Sequence, residues 1–485
     1  MKPRIVRATA ILAVLLTSAF AAGPSAPATA AGAPIGVDVL LSAPPTEAVL
    51  TELGRHGQLL DQWPQVNAVT MRADADELPA IRALPFVAAA APDAERAPAD
   101  AVPPPVIDFA NAADQWSLDA VDVTDVDAGR TVAQDGAGVY VAVVDTGLVT
   151  NWRAYFPEAR IDTLHARAFG GGGGEQGWVS EQPERWEHDT YGHGTAVAGI
   201  VLGFRYAGPL ALPAAFNGVA PKATVIPIRV VAGASGGEHT WTSVLNRALL
   251  YLTELKTSGA LGASPLVVNI SLQGTEPDIV ERAVLDYATA NGVVVVACAG
   301  NYGEAGMAYP GAYAPVISAA ASAWTRQFPA DEPDRIRWIT RDVPEEAPAE
   351  HAVPVFSSRA LPGQDLDVTA PGAAVPVPWT QDGTVDYAFF TGTSAAAPHV
   401  AGIAALMLAA DPALAPAQVE ARLEQTAMPL APACRPVTVG LAARGKPVTW
   451  SDLRNLLAFD ATACWADDAA GHGLVRADAA LAAVP

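Results

Sequence analysis

The sequence predicts an α/β protein: a mainly parallel, doubly wound sheet flanked by helices, preceded by a small α+β domain. Three observations carry that expectation. Apolar runs of strand length alternate with segments of helical period between residues 139 and 425. The runs are apolar throughout, as strands covered on both faces are. An Ala/Pro-rich stretch separates this region from a shorter one, residues 35–95, which has strand and helix signals of its own. The chain has 485 residues, 51% of them hydrophobic, enough for a large core and accessory segments.

In chain order, Lys2, Arg4 and Arg7 precede an apolar run from Ala8 to Phe20. Small residues at Ala19-Phe-Ala21 and Ala28-Thr-Ala30 offer two cleavage sites. Residues 1–30 therefore read as a secretory signal, too short for a comfortable membrane span. The expectation is a secreted, extracellular product with no membrane partner. In residues 35–95, Gly36–Leu41 and Val66–Met71 are strand-like. Pro45 to His56 has helical period, with Val49, Leu50 and Leu53 on one face, and Asp74 to Leu84 reads as a second helix. Ala97 to Pro105 ends in three prolines and lies in a linker, residues 96–111, that should be extended and cleavable. Maturation is expected between about Ala94 and Asn111.

Residues 112–485 form the main domain. Strands are expected at Val139–Val144, Thr224–Val231, Leu266–Ile270, Val293–Ala297 and Val316–Ala320. Helices are expected at Gly194–Leu202, Thr242–Lys256, Asp278–Ala290, Ser394–Ala410 and Pro416–Gln425. Pro398 and His399 mark the long apolar run Ala395–Ala410 as a buried helix of a soluble domain. Gly170–Gly174, Leu202 to Asn217 and Arg326 to His351 read as surface insertions without chemistry.

The formal net charge is −22. That balance argues against nucleic acid and anionic membranes as partners and fits a solvated acidic surface. There are three cysteines. An exported chain can keep a disulfide between Cys434 and Cys464, closing a loop worth about 3 kcal/mol in the chain-entropy description. Cys298, inside an apolar strand, reads as a small buried hydrophobe.

Four segments carry chemistry. Val139-Tyr-Val-Ala-Val-Val-Asp-Thr-Gly-Leu148 puts Asp145 at the carboxyl end of a buried strand, where α/β sheets collect ligands and catalytic groups. Tyr191-Gly-His-Gly-Thr-Ala-Val-Ala-Gly199 sets His193 between glycines ahead of a small-residue helix. Val293-Val-Val-Val-Ala-Cys-Ala-Gly-Asn-Tyr302 ends a strand in Gly300 and Asn301, whose amide can donate to an oxyanion. Gly392-Thr-Ser-Ala-Ala-Ala-Pro-His-Val-Ala-Gly402 holds Ser394 at the start of an apolar helix. Alone, each has a plain reading: a turn Asp, a structural His, a strand end, an N-cap Ser. Together they give Asp, His, Asn and Ser in order at element termini, one of the chain orders found for the Ser-His-Asp triad.

On those motifs, residues 105–485 resemble the subtilisin-like serine protease family. The resemblance implies a subtilisin-like fold and a serine endopeptidase that works through an acyl-enzyme. Ser394 would be nucleophile, His193 general base and acid, Asp145 its orienting carboxylate and Asn301 an oxyanion donor. Gln115-Trp-Ser-Leu-Asp-Ala120 resembles the start of the catalytic domain. Residues 35–95 resemble the family's inhibitory propeptide, so the expected partners are polypeptide substrates and this propeptide, around a monomer. Substrate would pair with the edges Gly233–Glu238, including Gly236 and Gly237, and Ser271, Leu272, Gln273 and Gly274. The primary pocket would lie between the latter edge and Ala299 and Gly300. Gln273 stands where the family usually has glycine, which should narrow that pocket toward a medium apolar residue. No cofactor is expected for the chemistry. Structural calcium is left open with no ligand assigned, because Tyr206–Phe216 is Pro/Ala-rich where relatives have Asn and Gly.

Overall fold

The structure is a computed structural model. It describes residues 34–98, 115–125, 129–174, 177–205, 215–231, 239–327, 341–379, 387–440 and 458–484. The expected signal, the linker beyond Pro98 and the edge residues Gly236 and Gly237 lie outside the described residues.

The N-terminal domain opens with β1 (Pro34–Leu41) and α1 (Glu47–Leu53), whose start is capped by the Thr46 hydroxyl accepting the Val49 N–H. There follow β2 (Gln58–Trp63), β3 (Ala68–Asp74), α2 (Leu78–Arg82) and β4 (Val87–Pro92). The four strands form an antiparallel sheet in the order β2-β3-β1-β4. The helix expected from Asp74 is shorter. Pro79 lacks an N–H and fits only a first turn, so α2 starts at Leu78 and Ala75–Glu77 winds as a 3-10 turn.

Strand β1 alternates with the period of two that a pleated strand imposes. Val37, Val39 and Leu41 enter a core with Leu53 of α1 and Ile81 of α2. Leu40 points the other way and packs, with Trp63 and Ala68, into the core of the larger domain. Asp38 is fully buried on that same side. Gly36 also lies there, so close that a Cβ on it would sit 2.3 Å from the Gly173 carbonyl oxygen. The glycine run Gly170–Gly174, expected to be a plain surface loop, is thus a seat for β1. Beyond β4 the chain adds one more strand, β5 (Glu95–Pro98).

The larger domain supplies β6 (Tyr140–Asp145), β7 (Arg167–Gly170), β8 (Ser180–Glu181), α3 (His193–Leu202), β9 (Thr224–Arg229), β10 (Thr240–Trp241) and α4 (Thr242–Thr257). Then come β11 (Leu266–Ile270), β12 (Leu272–Gln273), α5 (Ile279–Ala290), β13 (Val293–Cys298), β14 (Ile317–Trp324), β15 (His351–Ala352) and β16 (Val368–Pro371). The nine-stranded central sheet runs β8-β7-β9-β6-β11-β13-β14-β15, with β16 also pairing β14. The six pairings among β7, β9, β6, β11, β13, β14 and β16 are parallel. Its strands serve two cores by alternation. Val141, Val143, Val267, Val294 and Val296 face one cluster, with residues of α3. Val144, Leu266, Val268, Ile270, Val293 and Val295 face the other, with residues of α4 and α5. That is the doubly wound arrangement expected.

The chain ends with β17 (Val375–Pro378), β18 (Tyr387–Phe390), α6 (Thr393–Ala410), α7 (Pro416–Thr426), β19 (Ala433–Gly440), β20 (Ala458–Trp465) and α8 (Ala477–Ala482). Among the described residues α6 alone is long and apolar enough to cross a membrane, and 89% of it is buried inside the protein as a core helix. Cys434 and Cys464 lie opposite each other in the β19–β20 hairpin and form the expected disulfide.

Candidate active site

Strand register brings the site together. In β6 and β11, Val144 lies opposite Ile270, so Asp145 and Ser271 leave the sheet side by side. In β11 and β13, Ile270 lies opposite Ala297, so the chain to Asn301 leaves on the far side of Ser271. All are carboxyl ends of parallel strands.

His193 is the first residue of α3. Its Nδ1 sits 2.8 Å and 2.9 Å from the two Asp145 oxygens, with both side chains fully buried. Asp145 Oδ1 also accepts the Thr146 N–H. With Nδ1 toward a carboxylate, the neutral ring carries its proton there and leaves Nε2 as the basic atom. Nε2 is buried without a partner. Tyr191 stacks on the ring and Phe390 meets it edge-on. The turn that delivers His193 is held by Asp189. Its Oδ1 accepts the Tyr191 and Gly192 N–H groups, and its Oδ2 accepts the Thr195 N–H and hydroxyl. Burial pushes the Asp189 carboxyl up, and these donors pull it back.

Ser394 is the second residue of α6 and is buried. Its hydroxyl donates to the Ser271 carbonyl at 3.4 Å rather than to His193 Nε2. Pro398 explains a second tie. Four residues after Ser394, it has no N–H to give the Ser394 carbonyl. The Ser271 hydroxyl donates there instead, at 3.0 Å. Asn301 Oδ1 accepts the N–H and the hydroxyl of Thr393, both at 2.9 Å, which fixes the amide orientation. Its Nδ2 lies against Gly392.

The expected substrate walls are also placed. The Gly300 N–H donates to the Thr393 hydroxyl, and the Ala299 carbonyl accepts the Ala308 N–H. Gln273, expected to narrow the pocket, turns its side chain to accept the Asn301 N–H at 2.9 Å and is nearly buried. Cys298 donates to the Leu272 carbonyl, and burial pushes its thiol up to about 12, as expected of an inert cysteine.

One occupant of the cleft was not expected. Strand β5 of the N-terminal domain lies between β10 and β12 as the middle of a three-stranded antiparallel sheet. Ala97 lies opposite Gln273 and Pro98 opposite Leu272. The β10 side is at Thr240–Trp241, just after the expected edge Gly233–Glu238. Arg96, Glu281, Asp189 and the Ser271–Ser394 tie are functional candidates that the motif reading passed over. Pro398 was a visible signal for the last of these.

Among the described residues, three carboxylate groups bring oxygens within 4.8 Å: Asp38/Asp93/Asp278, Asp119/Asp125/Asp342 and Asp367/Glu420/Glu424. Calcium takes about six to eight oxygens, so such trios alone do not define a site.

A buried carboxylate–imidazole pair, and a buried serine at the start of a helix packed on the one that carries the imidazole, are groups of the kind nucleophilic hydrolysis uses. The subtilase family pattern, peptidase S8, matches residues 136–468, and the chain belongs to that family. It is similar to subtilisin E of Bacillus subtilis (strain 168), with 30% identity over 297 residues, covering 60% of this chain and 61% of that protein. Thermitase of Thermoactinomyces vulgaris is 30% identical over 293 residues, covering 60% of this chain and 82% of the relative. The match therefore spans about three fifths of the length of subtilisin E. The fold is similar to that of fervidolysin from Fervidobacterium pennivorans, a keratinolytic enzyme related to subtilisin. The TM-score is 0.61 at 21% identity, over 94% of this chain and 62% of that one.

Proposed function

We propose that the chain is an exported serine endopeptidase, made as a precursor that its own N-terminal domain holds inactive. The observation that carries this reading is the buried Asp145–His193 pair, its imidazole on a helix that packs against the one whose second residue is the buried Ser394. In the first step Ser394 Oγ attacks the substrate carbonyl carbon while His193 Nε2 takes the hydroxyl proton. Asp145 steadies the imidazolium that forms. The Asn301 amide and the Ser394 backbone N–H donate to the oxyanion, charge that exists only after attack. The intermediate collapses as His193 returns the proton to the departing amine, leaving an acyl-enzyme. Water, deprotonated by the same Nε2, then releases the acid. No cofactor enters these steps.

The cleft occupied by β5 supports the precursor reading, because an antiparallel strand between two edges is how a substrate chain would bind. Ser394→Ala tests both. The variant should accumulate with residues 34–98 still attached. The wild type from the same protease-deficient host should lose them. The β5–β12 register pairs Ala97 with Gln273 and Pro98 with Leu272, so a cut one residue further along the sequence is expected, and mass spectrometry should find a mature N-terminus at Asp100. Equal maturation of the two proteins would mean that another protease makes the cut.

A further inference from the structure

The triad does not account for one side chain of β5. Arg96 is fully buried, and so is Glu281 in the first turn of α5. The Arg96 Nε and Nη2 donate to the two Glu281 oxygens at 3.0 Å and 2.6 Å. Its Nη1 donates to the Glu95 carbonyl. Arginine is almost never fully buried unless paired, and a parallel two-point bond is the strongest pairing available. Glu281 holds the guanidinium firmly protonated. Burial pushes the Glu281 carboxyl up and Arg96 pulls it back. Gly274 makes the room: a Cβ there would sit 2.4 Å from Nη1.

Glu281 and Gly274 belong to the larger domain, whereas Arg96 belongs to the segment proposed to leave. Removal of β5 leaves the Glu281 carboxylate without the cation that pairs with it. The register says which substrate residue meets it. Gln273 faces Ala97, Leu272 faces Pro98, and the next residue back, Ser271, offers its carbonyl 3.4 Å from Ser394 Oγ. A substrate strand in this register puts the residue opposite Ser271 beside the nucleophile. The side chain in the place of Arg96 is three residues earlier.

We infer that Glu281 and Gly274 form a subsite selecting arginine in polypeptide substrates, three residues before the residue whose carbonyl is attacked. Arg96 is its built-in occupant in the precursor. The inference rests on the endopeptidase reading. It names a substrate class: chains with an arginine at that distance from the cut, independent of what fills the primary pocket.

The experiment uses enzyme matured from the full chain and peptides differing only at this position, with arginine, its neutral isostere citrulline, or leucine. Arginine should raise kcat/KM over both others by at least about 30-fold, the lower end for a desolvated charge pair that loses one partner. In Glu281→Gln the arginine-to-citrulline ratio should fall toward one. A merely structural role for Glu281 would lower all three rates together and leave the ratio intact, overturning the inference. Equal cleavage of the three peptides by wild type would overturn it too, leaving the endopeptidase reading in place. Cleavage of no peptide at all would remove that reading and this one with it. If Glu281→Gln does not fold, the arginine-to-citrulline comparison on wild type decides alone.

Discussion

Two fully buried carboxylates each hold a basic side chain at the cleft, and they differ in what belongs to whom. Asp145 and His193 are both rooted in the larger domain, one at a strand end and one at a helix start. Glu281 is rooted there too, but its partner Arg96 arrives on the N-terminal tail. A pair whose members never part can be tuned for chemistry, because its desolvation is settled once, on folding. A pair with a removable member is selective instead. Breaking such a contact costs about 3–5 kcal/mol, so the vacated site favours whatever restores it.

The largest expected effect comes from breaking the permanent pair. Asp145→Asn should keep the geometry but favour the wrong imidazole tautomer, and kcat should fall by about 10⁴. The preference for arginine over citrulline should survive in the remaining activity. A changed preference would show that the two pairs are coupled and that the contrast is false. Asn301→Ala should be next, with kcat down by about 10²–10³ and KM nearly unchanged for every peptide. A loss confined to KM, or to the arginine peptide, would move Asn301 out of the oxyanion role.

The last effect, read on affinity rather than on rate, concerns how the removable member is held. Asp38 and Asp93 of the small domain meet Asp278 at the start of α5 with oxygens within 4.8 Å. The Thr242 hydroxyl lies 2.7 Å from Asp93 and 3.0 Å from Asp278, with a single proton to donate. Asp93 also accepts the Gly173 and Ser243 N–H groups, and Arg96 is the cation on the adjoining strand. Burial, reinforced by Asp278, pushes Asp38 well up, and burial lifts Asp93 to about 6. A carboxyl raised by docking means that the docked form holds the proton more tightly. Docking should be strongest below about pH 4 and weaken as pH rises to about 6, by up to about tenfold per unit for each proton. Size-exclusion of the cleaved complex between pH 4 and 7 reads this directly. Retention that rises with pH over that range would reverse the assignment.

The sequence motifs singled out Asp145, His193, Asn301 and Ser394 because small residues and strand ends surround each of them. The parallel core was equally legible. Leu266–Ile270 has the bounds expected, since a strand buried on both faces is apolar end to end. Strands β4 and β5 were not legible. Val87-Ala-Ala-Ala-Ala-Pro and Glu95-Arg-Ala-Pro have no alternation to read, and only their partners make them strands. Arg96 fell within the expected linker, residues 96–111, and Glu281 within the expected helix Asp278–Ala290, and nothing local singled out either one. A buried ion pair joining positions 185 residues apart leaves no local trace in either segment.

Strand β1 has a consequence of its own. Its neighbouring side chains answer to different owners: Val37 and Val39 to the small domain's core, Asp38 and Leu40 to the partner it leans on. Whether the domain folds and how long it stays are therefore written on alternate letters of one word. Selection, or an engineer, can lengthen or shorten the delay before activity at even positions while the odd ones keep the domain whole. Timing and foldability can then drift independently along eight residues.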